Sequence, residues 1–153
     1  MILVGDENVG KSMILNHMTG LPFREIYNPT NSWRNARIRN PEFSLEVCDF
    51  SGRTSFRSTS LKSRFERAHI AIICFDLTNG ASFNRIESWI CYIKKFYSDC
   101  VMFLVGTKAD LKRVIPTTKG QRLAEIQNAQ YIETSFKFGV NTEEFMSEIK
   151  KSA

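Results

Sequence analysis

The sequence predicts an α/β fold in which helices flank both faces of a mostly parallel, six-stranded sheet. Short apolar runs alternate with amphipathic stretches along the chain, as strands alternate with helices in such folds. The run at 71–75 is continuously apolar, which is typical of a strand buried on both faces. No repeat and no linker rich in Pro, Gly or Ser interrupts the 153 residues, so we expect one domain over residues 1–153.

The predicted strands rest on runs and alternation of apolar residues. They lie at 2–4, 36–39, 42–49, 71–75, 101–105 and 131–132. Phe43, Leu45 and Val47 alternate with polar residues, which predicts a strand with one buried face. The Asn40-Pro41 turn before them makes the second and third strands a hairpin.

The predicted helices rest on apolar residues at helical spacing. They lie at 11–18, 82–97, 118–128 and 142–150. Ser82 is the predicted N-cap of the second helix. The third helix is expected to bury Leu123 and Ile126, and the fourth to bury Phe145 and Ile149.

Composition and charge exclude several classes of protein. Apolar residues make up 42% and charged residues 24%, which is typical of a folded domain and not of a disordered chain. No apolar run reaches the length of a membrane-spanning helix and no secretory signal is recognisable, so we expect a cytoplasmic protein. The net charge is +5, but no block of basic residues predicts nucleic-acid binding.

The strongest local motif lies between the first strand and the first helix. Residues 5–12 read GDENVGKS, which fits G-x-x-x-x-G-K-S in the strand-to-helix context that the motif requires. Backbone N–H groups of such a loop, together with the helix N-terminus, bind phosphate oxygens. Lys11 would reach the terminal phosphates, and the Ser12 hydroxyl would ligate Mg²⁺. The alternative interpretation is a glycine turn that only caps the helix.

Three further motifs follow predicted strands. Residues 49–52 fit D-x-x-G, residues 107–110 resemble N-K-x-D, and residues 133–137 resemble E-T-S-A-K. With these motifs in this order, the chain resembles the small GTPases of the Ras superfamily over nearly its whole length. It is most similar to the Rab branch, on the runs FRS at 56–58 and DLTN at 76–79.

The resemblance implies a P-loop G-domain that binds GTP or GDP together with Mg²⁺. It assigns nucleotide contacts to Asn8, Val9, Gly10, Lys11, Ser12, Met13, Phe23, Thr30, Gly52, Thr107, Lys108, Asp110, Ser135, Phe136 and Lys137, and metal ligation to Ser12, Thr30 and Asp49. The Asp110 carboxylate would accept hydrogen bonds from guanine N1–H and the exocyclic amine, a pair of donors that adenine lacks. Thr30 and Gly52 would contact the γ-phosphate and lose that contact after hydrolysis, which makes them the switch contacts.

Several residues depart from the family's pattern. Arg53 stands where the family has the Gln that orients the attacking water, so no catalytic residue is assigned. A guanidinium has no acceptor for a water proton, and we predict slow intrinsic hydrolysis. The Glu7 carboxylate would repel the γ-phosphate unless it turns to solvent, whereas Asn8 suits a positive φ. Phe136 replaces Ala beside the base, which predicts weaker base contacts and faster exchange, while Thr107 in place of Asn is expected to be benign.

The expected function is a molecular switch in membrane traffic or signalling. Effector, exchange and activating proteins would bind through switch regions near 24–36 and 50–66, where Trp33 is either an effector anchor or part of the core. A membrane would be bound only through a lipidated tail outside this chain, since residues 150–153 carry no prenylation Cys. Two alternatives stay open: a pseudo-GTPase that serves as a protein-binding scaffold with weak or constitutive nucleotide, and an ATP-dependent P-loop enzyme, which conflicts with residues 107–110.

Overall fold

The computed structural model describes residues 1–23, 33–39, 44–52, 68–96 and 99–153. The strands are β1 (Ile2–Gly5), β2 (Trp33–Arg39), β3 (Ser44–Phe50), β4 (Ile70–Asp76), β5 (Val101–Thr107) and β6 (Gln130–Glu133). The helices are α1 (Lys11–Met18), α2 (Gly80–Asn84), α3 (Ile86–Phe96), α4 (Thr117–Gln127) and α5 (Thr142–Ser152). Every predicted strand is present, and the boundaries differ from the predicted ones by a few residues.

The six strands form one sheet in the order β2-β3-β1-β4-β5-β6. β2 and β3 run antiparallel, as the predicted hairpin requires, and every other neighbouring pair is parallel. Because β1 lies between β3 and β4, the strand order reverses direction beside β1. In open α/β sheets, ligands bind beyond the carboxyl ends of the strands at such a point. The fold therefore places the ends of β1 and β3 where a ligand is expected.

Apolar cores cover both faces of the sheet, because successive strand residues point to opposite faces. On one face, Val4 lies in a core with Ile90 of α3. On the other face, Leu3 lies in a core with Ile14 of α1 and Phe145 of α5. All seven residues of β4 are buried, which explains its continuous apolar run. The predicted α/β class, with helices on both faces of a mostly parallel sheet, is confirmed.

The helix predicted to begin at Ser82 begins earlier and is divided. Asn79 is the N-cap of α2, and its Oδ1 accepts hydrogen bonds from the N–H groups of Ala81 at 3.0 Å and Ser82 at 3.4 Å. The Ser82 hydroxyl lies within the helix and donates to the Asn79 carbonyl at 2.8 Å. The prediction of Ser82 as the cap is wrong because Asn79, one turn earlier, supplies the capping oxygen. A second helix, α3, then begins at Ile86.

The third predicted helix, α4, turns a different face to the sheet from the one expected. The Ile126 side chain is 67% exposed, so its prediction as a core residue is wrong, and Leu123 is only partly buried. Gly120 and Ala124 are buried instead. A Cβ at Gly120 would lie 2.4 Å from the ring of Tyr131, so α4 approaches β6 closely through its smallest residues. That approach turns Ile126 to solvent.

Candidate functional site

The segment at 5–12 joins β1 to α1 through backbone conformations that few residues adopt. Gly5 has φ of 137°, Asn8 of 60° and Gly10 of 93°. A Cβ at Gly5 would lie 2.2 Å from the carbonyl oxygen of Cys74, so this position admits only glycine. Turns of this kind direct successive N–H groups into one concavity, and the N-terminus of α1 adds positive potential there. The loop therefore has the geometry of an anion site.

Lys11 extends its ammonium back across this loop. Its Nζ donates hydrogen bonds to the carbonyl oxygens of Gly5 at 2.9 Å and Asp6 at 2.5 Å. An ammonium has three N–H donors. The carbonyl oxygens of Gly5 and Asp6 accept two of them. Burial lowers the pKa of the Lys11 ammonium, and the negative charges of Asp49 and Asp6 oppose that shift. The two hydrogen bonds hold Nζ of Lys11 inside the concavity, where a phosphate would meet it.

A buried carboxylate faces the loop from the end of β3. The Ser12 hydroxyl donates to Asp49 Oδ2 at 2.7 Å, and Arg34 Nε lies 3.5 Å from the same oxygen. Burial raises the pKa of Asp49, and the hydrogen bond from Ser12 and the charges of Lys11 and Arg34 oppose the rise. Among the described residues, none donates a hydrogen bond to the buried Oδ1 of Asp49. An unsatisfied carboxylate oxygen beside a hydroxyl is a donor set that suits Mg²⁺, so these residues fit the metal.

Gly52, at the end of the D-x-x-G motif, lies directly against the loop at 5–12, here called the phosphate loop. A Cβ at Gly52 would fall 2.1 Å from the backbone N of Glu7 and 2.3 Å from the carbonyl carbon of Asp6. A side chain at this position would displace the loop, so the close approach requires glycine. The chain after Gly52 is next described at Ala68, so Arg53 lies outside the described residues.

Thr107 links the end of β5 to the phosphate loop. Its hydroxyl lies 2.7 Å from the carbonyl oxygen of Val9 and 3.0 Å from that of Phe75, and it donates to one of them at a time. Both Thr107 and Val9 are buried. Thr107 was predicted to contact the nucleotide, and its hydrogen bond to the loop was not predicted. The sequence signal that could have predicted this hydrogen bond is a hydroxyl side chain at the end of a buried strand.

The T-K-A-D segment turns sharply after β5. Lys108 adopts φ of 59°, and its Nζ lies 2.6 Å from Asp76 Oδ2 at the end of β4. The Ala109 N–H donates to the carbonyl of Thr134 at 3.1 Å, which joins this segment to the E-T-S motif after β6. The Asp110 side chain is exposed, and no described residue forms a hydrogen bond or ion pair with it. Its carboxylate is accessible to a ligand.

Phe136 packs into the protein, against α1 and α5. Its ring lies edge-on to His17 of α1, with centroids 5.2 Å apart, and edge-on to Phe145 of α5 at 6.0 Å. The side chain is half-buried at the margin of a core. The extra volume relative to Ala therefore finds space between two helices.

The remaining predicted site residues divide into described and undescribed positions. Val9 and Ser135 are buried, Met13 is half-buried, and Asn8, Phe23 and Lys137 are exposed. Thr30 and the side chain of Trp33 lie outside the described residues, as do most of the predicted switch regions. Their predicted roles stay predictions.

A hydrogen bond from α3 to the loop, beside an ion pair, was missed entirely. The indole Nε1 of Trp89 in α3 donates to Asp6 Oδ1 at 3.3 Å, and Arg85 Nε lies 3.5 Å from Asp6 Oδ2. The sequence carries no signal for it, because 83 residues separate Asp6 from Trp89. The phosphate loop is therefore anchored by α3 as well as by β5.

A comparison with protein-family models identifies the group to which this site belongs. The model of the Ras family matches residues 1–153, the whole chain. The chain belongs to the Ras family. Members of that family act as GTPase switches and in general bind guanine nucleotides and Mg²⁺, which agrees with the loop, carboxylate and hydroxyl described above.

Curated relatives narrow the resemblance to the Rab branch. Ras-related protein RAB1BV of Beta vulgaris is 33% identical over 99% of this chain and 74% of its own length. Ras-related protein RABE1e of Arabidopsis thaliana is 33% identical, with 99% and 72% covered. The GTP-binding protein YPTM1 of Zea mays is 32% identical, with 99% and 78% covered. This Ras-family chain is thus Rab-like and divergent. Among its described residues, no helix has the length and apolar character to cross a bilayer.

Proposed function

We propose that this chain is a single G-domain over residues 1–153 that binds GDP or GTP with Mg²⁺ and switches between the two states. The observation that carries the proposal is the convergence of two distant segments and the Lys11 ammonium on one loop. Ser12 contacts Asp49 from β3, Thr107 from β5 contacts the loop at Val9, and the Lys11 ammonium lies within the loop. Such an arrangement supports binding of a nucleoside phosphate at this edge of the sheet.

Each part of the site has a proposed role in binding. The loop N–H groups and Lys11 would hold the phosphates, and Ser12, Asp49 and Thr30 would hold Mg²⁺, which neutralises phosphate charge when bound. Asp110 would select guanine, since its exposed carboxylate is available to two N–H donors. The further residues proposed to contact the nucleotide are Asn8, Val9, Gly10, Met13, Phe23, Gly52, Thr107, Lys108, Ser135, Phe136 and Lys137.

The nucleotide bound by the purified protein tests the proposal most simply. We expect denaturation to release GDP or GTP, identified by chromatography, and Lys11→Ala to release far less, because it removes the buried ammonium. A wild-type protein that releases no nucleotide, and gains no thermal stability from GDP with Mg²⁺, contradicts the proposal. That outcome would favour a scaffold protein without a nucleotide cycle.

Hydrolysis by this chain is proposed to be slow. Arg53 replaces a residue that orients the attacking water, and a guanidinium cannot accept a hydrogen bond from that water. Arg53→Gln is expected to raise the single-turnover rate of GTP hydrolysis by about tenfold or more, as restoring a water-positioning group can do. GDP affinity should be unchanged and serves as the control. A wild-type rate equal to that of the variant contradicts the assignment.

The biological role is proposed to be regulation of membrane traffic or signalling through partner proteins. Effectors and exchange or activating proteins would bind the regions near 24–36 and 50–66, whose contacts with the γ-phosphate would differ between the two states. A protein loaded with a non-hydrolysable GTP analogue should bind an effector more tightly than the GDP form does. Thr30→Ala should abolish that difference, and equal binding in both states would contradict the proposal.

A further inference from the structure

A basic side chain lies on the carboxylate that is proposed to hold the metal. Arg34 and Asp49 are direct partners in the β2–β3 ladder, so the register of the hairpin places them side by side. Opposite residues of an antiparallel pair extend their side chains from the same face of the sheet. Arg34 Nε lies 3.5 Å from Asp49 Oδ2, the oxygen that also accepts the Ser12 hydrogen bond.

A second contact orients the guanidinium. Arg34 Nη2 lies 3.5 Å from Asn16 Oδ1, and Asn16 is buried on α1. The guanidinium therefore spans from β3 to α1, beside the helix that begins with the phosphate loop. The Arg34 side chain is 46% exposed, so the guanidinium can move into solvent when another cation displaces it from Asp49.

This ion pair differs from the other arginine pair on the same strand. Arg37 lies 3.9 Å from Glu46, and both side chains are more than half exposed, as in an ordinary surface ion pair. Arg34 instead meets a carboxylate with no exposed surface. A buried carboxylate needs a neighbouring cation or hydrogen-bond donors, so the guanidinium fills the electrostatic role that a metal ion would fill.

We propose that Arg34 is a built-in counter-cation of Asp49 that competes with Mg²⁺. Mg²⁺ at Asp49 would share the negative carboxylate with the Arg34 guanidinium. The two positive charges would repel each other, so the nucleotide complex would bind Mg²⁺ weakly. In the metal-free complex the guanidinium would still neutralise Asp49 beside the phosphates. Nucleotide binding and metal binding are linked reciprocally, so nucleotide retention would depend little on Mg²⁺. The inference rests on the proposed function.

Variants of the two arginines on β2 test this inference. We would compare the wild-type protein with Arg34→Gln, Arg34→Lys and the control Arg37→Gln, each checked for folding by circular dichroism. The first measurement is the Mg²⁺ content of the purified GDP complex at buffered free Mg²⁺. The second is the factor by which a chelator accelerates release of a fluorescent GDP analogue.

We expect both measurements to change only in the variant that loses the positive charge at position 34. Arg34→Gln should lower the Mg²⁺ concentration for half-occupancy, and raise the chelator factor, each on the order of tenfold. Arg34→Lys and Arg37→Gln should stay near the wild-type values, since each keeps a cation beside Asp49. Equal values for Arg34→Gln and wild type overturn the inference while leaving the proposed function intact. A wild-type protein that fails to bind GDP in saturating Mg²⁺ overturns both.

Discussion

The Thr107 hydroxyl shows how much of the site can depend on one side chain. It lies between two buried carbonyl oxygens, that of Val9 in the phosphate loop and that of Phe75 in β4. Buried carbonyl groups need donors, and a β-branched residue holds its hydroxyl in a restricted set of rotamers. Thr107, which stands in place of the Asn of the resembled N-K-x-D motif, thus supplies a donor toward the loop in this chain.

Replacing Thr107 by Val keeps the shape of the side chain and removes the donor. We expect the free energy of unfolding to fall by about 1–3 kcal/mol, because a buried acceptor is left unsatisfied. Release of bound GDP should also accelerate, since the loop loses its tether to β5. Denaturant unfolding and stopped-flow release measure the two effects. Thr107→Ser, which keeps the hydroxyl, is the control, and wild-type behaviour in Thr107→Val would refute the tether.

At the scale of elements, α3 is joined to the phosphate loop by the hydrogen bond from Trp89 to Asp6. Trp89→Phe would keep an aromatic ring in the core and remove the indole donor. We expect GDP release to become about 2–10 times faster, because a typical hydrogen bond contributes about 0.5–1.5 kcal/mol. Tyr92→Phe, a loss of a polar group elsewhere on α3, should leave the rate unchanged. An unchanged rate in Trp89→Phe would show that α3 does not position the loop.

A second link between elements is centred on Glu133 at the end of β6. Its carboxylate accepts two hydrogen bonds from Arg113, at 2.8 and 2.9 Å, and one from the Tyr131 hydroxyl at 2.7 Å. Burial alone would raise the pKa of Glu133, but the hydrogen bonds from Arg113 and Tyr131 outweigh burial and lower it below the ordinary value of 4.5. The folded state therefore favours the ionised carboxylate.

The lowered pKa of Glu133 predicts a pH dependence of stability. Its contribution is complete above the unfolded-state pKa and is lost as the pH falls through the lower, folded-state pKa. Glu133→Gln should therefore lower the free energy of unfolding at neutral pH and flatten its decline between roughly pH 5 and pH 3. Chemical unfolding at a series of pH values measures this. Glu148→Gln, on an exposed pair with Lys151, is the control, and an unaltered slope in Glu133→Gln would contradict the prediction.

Over the whole molecule, the sequence predicted the elements that depend on local residue spacing. The apolar run of β4 and the strand-to-helix motif at 5–12 specified a buried strand and α1 because spacing alone controls them. The cap at Asn79 was missed because Ser82 is also a favoured capping residue one turn later. Ile126 was placed wrongly because its exposure depends on how closely α4 approaches β6.

The contacts that no sequence pattern predicted are those between distant segments. The pairing of Arg34 with Asp49 depends on the register of β2 against β3, and a slip by one residue would turn Arg34 to the other face. The hydrogen bond from Trp89 to Asp6 depends on how α3 packs on the sheet. Motifs locate the residues of the site, whereas tertiary packing determines which other side chains contact those residues.

We propose above that the loop after β1 binds a nucleoside diphosphate and that Asp110 selects guanine. Competition of GDP and ADP against a fluorescent guanine nucleotide, in wild type and Asp110→Ala, tests it most directly. We predict that wild type prefers GDP by roughly a thousandfold or more, since a site built to pair guanine N–H groups rejects a base that lacks them. Asp110→Ala should lose most of that preference. Equal affinity of the wild-type protein for GDP and ADP would contradict a guanine-selecting role for Asp110.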